Sequence, residues 1–140
     1  MQARKIYLIG SMKNPEIPLL AIEMRNLGHE VFDEWYAPGP SADEYWRDYE
    51  IQRGRTFKEA LTGAHARDVF DFDKKWLNWA DTVVLLTPAG KSAHLELGYS
   101  AGKDKETHVV LDGPERWDIM YGFASHVWNT RAELLEELRG

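Results

Sequence analysis

The chain has 140 residues, a formal net charge of −6, 44% hydrophobic and 29% charged residues, and no cysteine. That size and balance predict one soluble globular domain over 1–140, and the missing cysteines exclude disulfides, thiolate metal sites and cysteine nucleophiles. An acidic chain without a basic block argues against a nucleic-acid polymer as partner.

The first segment, "KIYLIG" (5–10), is an apolar run that stops at glycine and reads as a buried strand. Entering a strand so directly, the N-terminus lacks a secretory pattern. No run of about 18 apolar residues predicts a membrane span. A cytoplasmic protein is the expectation. Residues 14–28 predict a helix with Leu19, Leu20, Glu23, Met24 and Leu27 at helical spacing and Gly28 as its stop. A short strand over 29–35 and a Pro/Gly-rich loop follow, then a helix starting at Ser41 or Asp43. Residues 64–80 predict a helix with Val69, Phe72, Trp76 and Trp79 on one side. The clearest strand is 81–88. A helix capped by Ser92 and ending at Gly102 comes next, then a strand over 107–113 and a last helix over 129–139.

Strands alternate with helices, so the expected fold is α/β: a single-domain three-layer sandwich around a mostly parallel, doubly wound (Rossmann/flavodoxin-like) sheet. Such sheets bind ligands beyond the carboxyl ends of their strands, where strand order reverses. That rule directs attention to Gly10, Ser11, Asp33, Glu34, Trp35, Asp112 and the stretch from Thr87 to Ser92.

Within "TPAGKSAHLELGYSAG" (87–102), Glu96 stands near a helix start among small or apolar neighbours. A carboxylate there is explained equally by the unpaired N–H groups and dipole of a helix N-terminus. The small neighbours and the position after the strongest strand favour a site. "GKS" (90–92) is not a Walker A motif, because the required glycine at position 85 is Leu85. Lys91, Ser92 and the first helix N–H groups could hold one phosphate or 5′-hydroxyl, or simply form a turn and cap. Ser11 and Lys13 offer a second such loop, for which a solvent-facing turn is the plainer reading. The acids Asp68, Asp71, Asp73 and Asp81 read, one by one, as a solvated face. Aromatics are dense over 32–49, where a base could stack or a core could pack. The five histidines show no metal-ligand spacing and no GxSxG elbow occurs, so neither a metal site nor a serine hydrolase is expected.

Taken together, "KIYLIGS", "DKKWLNWADTVVLLTP" and "SAHLELGYSAGK" resemble the nucleoside 2-deoxyribosyltransferase family, whose relatives include deoxynucleoside 5′-monophosphate N-glycosidases. The resemblance runs from the first strand to the final helix and is most specific around "HLELGYSAGK". It implies that Glu96 is the nucleophile, that Tyr7 lies beside it and that Asp73 assists at the base. It implies that a neighbouring subunit completes each site through the segment reading "DIM" here, where Asp118 replaces the family's Asn and Met120 keeps its place. A homodimer or larger homo-oligomer is therefore expected, with 116–128 as the candidate interface. Two positions depart from the transferases: Gly90 replaces an Asp that binds the 5′-hydroxyl, and Ser92 replaces a Gly. Removing that charge and offering Lys91, Ser92 and His94 suits a 5′-phosphate, and "GSMK" (10–13) resembles the phosphate loop of the monophosphate glycosidases. The implied substrate is a small nucleoside or nucleotide, with no cofactor. Sugar transfer to a second base is the first expectation, hydrolysis the alternative, and a non-catalytic nucleotide-binding module a further one.

Overall fold

A computed structural model describes residues 2–112 and 116–140. Five parallel strands form one sheet in the order β2-β1-β3-β4-β5: β1 Lys5–Ile9, β2 Glu30–Phe32, β3 Thr82–Leu86, β4 Glu106–Val110 and β5 His126–Trp128. The order reverses between β1 and β3, so the crevice of this doubly wound sheet opens where those two strands end. β3 is buried along its whole length, as an apolar run in a parallel sheet covered on both faces must be.

The described residues also form six α-helices: α1 Glu16–Asn26, α2 Ala42–Gln52, α3 Phe57–Ala60, α4 Ala64–Trp79, α5 Lys91–Gly102 and α6 Arg131–Arg139. On one face Ile17, Leu20 and Met24 of α1 and Leu134 and Leu138 of α6 pack on Ile6, Leu8, Val84, Leu86 and Val110. On the other, Leu77 of α4 and Ala93 and Leu97 of α5 pack on Tyr7, Ile9, Val83, Leu85 and Val109. This is the expected three-layer sandwich. Successive strand residues face opposite layers, which is why Tyr7 looks towards α5 while Ile6 and Leu8 look towards α1.

Local chemistry sets the boundaries. Thr56 and Thr130 each form a reciprocal capping box with the Glu three residues on, starting α3 and α6. Gly28 takes a positive φ of 99° just after α1, as expected for its stop. Gly10 ends β1 where nothing larger fits: an added Cβ would lie 2.5 Å from Ile17 Cδ1 and 3.1 Å from the Leu86 carbonyl oxygen. Beyond β3, the Thr87 hydroxyl donates to the Val110 carbonyl and accepts from the Asp112 N–H, tying the ends of β3 and β4 together. The Thr87–Pro88 peptide is cis.

Several sequence expectations are corrected. The buried face of α1 is Ile17, Leu20, Ala21 and Met24, whereas Leu19 is half exposed, because a helix beginning at Glu16 turns Leu19 away from the sheet. β2 is shorter than 29–35, and Glu34–Tyr36 is a turn of 3₁₀ helix. On α4, Val69 and Phe72 are exposed and only Leu77 is fully buried, because the N-terminal half of this helix runs beyond the sheet. α5 begins one residue before Ser92, with Gly90 at the cap position and no side-chain cap. Within 116–128 lie a 3₁₀ turn, Ile119–Phe123, and the edge strand β5. A period-two signal over three residues is too short to stand out in sequence. Gly113, the last residue of the strand expected over 107–113, is outside the described residues, and β4 itself ends at Val110. No described helix is long and apolar enough to cross a membrane.

Candidate active site

Three of the flagged side chains converge beside the switch point. Tyr7 projects from the middle of β1, its ring fully buried and packed 5.2 Å from that of Phe32. Its hydroxyl donates a 2.7 Å hydrogen bond to Glu96 Oε2, across 89 residues of sequence. Asp73 of α4 faces the same space, and its charge raises the proton affinity of both Glu96 and Tyr7. α4 brings Asp73 there because its sheet-covering turns come later, and Trp76, one turn on, stacks on Phe32 at 4.9 Å and 8°.

The electrostatics of this trio follow from burial. Desolvation pushes the Glu96 carboxyl up to about 7, opposed by the Tyr7 hydrogen bond and assisted by the Asp73 charge. Desolvation likewise pushes Asp73 up to about 6. Burial, then the two carboxylates, drives the Tyr7 phenol far above its ordinary value, so Tyr7 stays a hydrogen-bond donor. No cation is paired with either carboxyl among the described ion pairs. Two desolvated acids sharing one space, one held by a phenol, can divide proton donation and nucleophilic attack between them.

The remaining flagged residues fall into two groups. Gly10, Ser11 and Lys13 form the turn after β1, where Ser11 Oγ accepts from the Lys13 N–H at 3.1 Å and the exposed Lys13 ammonium lies 3.6 Å from Glu44. Gly90, Lys91 and Ser92 open α5 and are solvent exposed, with nothing within 4 Å of a Cβ added at Gly90. These two loops flank the ends of β1 and β3. Asp33, by contrast, is held by Arg25 at 2.8 Å. Trp35 donates its indole N–H to the Leu8 carbonyl at 2.6 Å and packs against both cores. Asp118 caps the 3₁₀ turn by accepting from the Met120 N–H at 2.9 Å, and Met120 is exposed. His94 contacts Gly90 and Tyr121.

One titratable cluster was invisible in the sequence. Ligand atoms of Glu106, His108 and His126 lie within 4.8 Å of one another at the opposite, N-terminal end of the sheet. Register explains it, since β4–β5 pairing sets His108 directly beside His126. Glu106 and His108 already satisfy each other. Trp128 donates its indole N–H to His108 Nδ1, so Nε2 carries the ring proton and donates to Glu106 at 2.9 Å. Arg4 donates to both Glu106 oxygens, at 3.2 and 3.4 Å. This pattern leaves His108 no lone pair for a cation and places a guanidinium where one would sit.

No protein-family model matches the chain, and no curated protein sequence does. Solved structures do match in fold. A 2-deoxyribosyltransferase of Bacillus psychrosaccharolyticus aligns over 93% of this chain and 89% of its own, with a TM-score of 0.63 at 19% identity. A conserved protein of Enterococcus faecalis aligns over 99% and 98%, with a TM-score of 0.65 at 14% identity. The CMP N-glycosidase BcmB of Clostridium botulinum aligns over 95% and 96%, with a TM-score of 0.54 at 15% identity. The chain thus shares one fold, over nearly its full length, with two proteins named for N-glycosidic chemistry.

Proposed function

We propose that this chain is an enzyme of the nucleoside 2-deoxyribosyltransferase and N-glycosidase type, cleaving the bond between sugar and base in a nucleoside or nucleotide. The observation that carries the reading is the Tyr7–Glu96 hydrogen bond with Asp73 alongside, on a fold shared with a 2-deoxyribosyltransferase and a CMP N-glycosidase.

The chemistry follows from the trio. Tyr7 occupies Oε2 of Glu96 and leaves Oε1 to attack C1′. As the C1′–N bond breaks, its electron pair passes to the base nitrogen, which takes the proton of Asp73. Positive charge building at C1′ is met by the Glu96 carboxylate, which then closes to a glycosyl ester. A second base attacking C1′ gives transfer; water gives hydrolysis. Either acceptor gives up its proton to the Asp73 carboxylate as it attacks C1′ and expels Glu96 as carboxylate. The step needs one proton on the two acids together. With Glu96 at about 7 and Asp73 at about 6, the pair holds one proton near neutrality. A base bound against Asp73 draws that proton onto Asp73, while the Tyr7 O–H stabilises the Glu96 carboxylate.

Gly90 favours a 5′-phosphorylated substrate. It adds no side chain and no charge where α5 starts, the space around it is open, and Lys91, Ser92 and Ser11 stand nearby in sequence and fold. An assembly completes the site in this reading. Ile119, Met120 and Phe123 are exposed apolar side chains that a second copy can receive.

The test is product analysis by chromatography after incubation with deoxynucleosides and deoxynucleoside 5′-monophosphates, with and without a free acceptor base. Base exchange supports transfer; free deoxyribose or its 5-phosphate supports hydrolysis. Tight nucleotide binding without turnover overturns the enzymatic reading in favour of a binding module.

A further inference from the structure

His94 stands two residues before Glu96 on α5, and both of its ring nitrogens are engaged. Nδ1 lies 2.7 Å from the Gly90 carbonyl oxygen, which can only accept, so Nδ1 carries the proton. Nε2 is then the lone-pair nitrogen, and the Tyr121 hydroxyl donates to it at 3.0 Å. The two rings also stack, with centroids 5.7 Å apart and planes at 11°. A histidine fixed in this way has no N–H left for a phosphate, so the role expected of it as a substrate ligand gives way to another.

Tyr121 lies in the turn Ile119–Phe123, which Asp118 caps and which closes through the Ala124 N–H to the Tyr121 carbonyl at 3.0 Å. Tyr121 faces inward, packed against the α4–α5 core, while Ile119, Met120 and Phe123 face solvent at 87%, 63% and 72% exposure. Further along, the chain is pinned again where Thr107 and Ser125 exchange hydrogen bonds of 3.1 and 2.9 Å. Among the described contacts, Tyr121 is the side chain of the turn that reaches His94 of α5.

We propose that His94 and Tyr121 are a positioning pair that fixes the turn Ile119–Phe123 on α5, the helix that carries Glu96, and so sets how Ile119, Met120 and Phe123 meet a second copy of the chain. This rests on the proposed function, in which an assembly completes the site.

Tyr121→Phe keeps the ring and removes the donor. His94→Ala removes the acceptor and the stack. His94→Gln retains an acceptor oxygen within reach of Tyr121. Amide hydrogen exchange over 119–124 and steady-state kinetics on the best deoxynucleotide substrate are measured for all three. The expected result is ~5-fold faster exchange in the turn for Tyr121→Phe and His94→Ala, as loss of a hydrogen bond allows. KM rises ~3–10-fold with kcat within about twofold, the pattern of lost substrate positioning, and His94→Gln restores both. Unchanged exchange in the turn, or a fall in kcat at unchanged KM, overturns the proposal. If the wild-type chain turns over no nucleoside or nucleotide, the functional reading fails on its own, and the exchange data still decide whether the pair holds the turn.

Discussion

The two ends of the sheet carry two clusters of titratable groups, and they behave in opposite ways. At the carboxyl end Glu96 and Asp73 are desolvated and only Glu96 is held, by the Tyr7 phenol, so both carboxyls are pushed up. At the amino end Glu106 is also desolvated, yet Arg4 and His108 more than offset the penalty and its carboxyl is held below the usual range. Burial lowers His108 in turn, keeping it the neutral donor to Glu106. Desolvation that is answered by partners belongs to the fold. Desolvation left unanswered leaves carboxyls poised near neutrality, where proton transfer needs them.

Substitutions at the two ends should separate on this line. Glu96→Gln is expected to lower turnover ~10³-fold or more, since an amide cannot form the glycosyl ester. The same variant should be more stable than the parent in alkali. The Glu96 pKa rises from 4.5 to about 7 on folding, so the unfolded chain loses the proton first and stability falls as pH climbs through that interval. Removing the titration should add about 1–3 kcal/mol at pH 8 and little at pH 4 by chemical denaturation. A variant with normal turnover, or with no pH-dependent gain, breaks the contrast. Asp73→Asn is expected to lower kcat ~10²-fold by removing the proton donor, most of all for substrates with poor leaving bases.

At the other end the readout is stability alone. Glu106→Ala leaves the buried His108 N–H without its acceptor and should cost about 1–3 kcal/mol, with kcat per folded molecule unchanged. Because the Glu106 pKa is lowered on folding, its contribution is present above the unfolded value and fades as pH falls through the folded one, the reverse of Glu96. A loss of turnover in folded protein would erase the distinction between the two ends. The smallest effect is expected for Tyr7→Phe. Without the hydrogen bond the Glu96 carboxyl rises further, so the acid limb of the rate profile should move to higher pH with ~10-fold loss at neutrality.

Much of this was legible in the chain itself. The apolar run at 82–86, the stop at Gly28 and the Glu at position 96 after the strongest strand gave the layered parallel fold and its richest loop. Where legibility failed, the reason is physical. Leu19 reads as apolar in composition, and only the phase set by Glu16 as the first helical residue turns it outward. Ser92 looks like a better cap than Gly90, but the helix already includes Ser92, starting at Lys91 with Gly90 at the cap position. That the His94 ring bridges the Gly90 carbonyl and the Tyr121 hydroxyl is a contact between distant segments that no local pattern announces.

The sequence by itself determined the elements and the kinds of side chain available, because periodicity, caps and turn residues act within a few positions of the chain. Tertiary structure decided which of them work together. Tyr7, Asp73 and Glu96 belong to β1, α4 and α5, and nothing local relates them. Glu106, His108 and His126 show the same thing in reverse, becoming one cluster only through β4–β5 register. A carboxyl's proton affinity is fixed by what surrounds it in space, so the difference between Glu96, pushed up, and Glu106, held down, exists only in the folded chain.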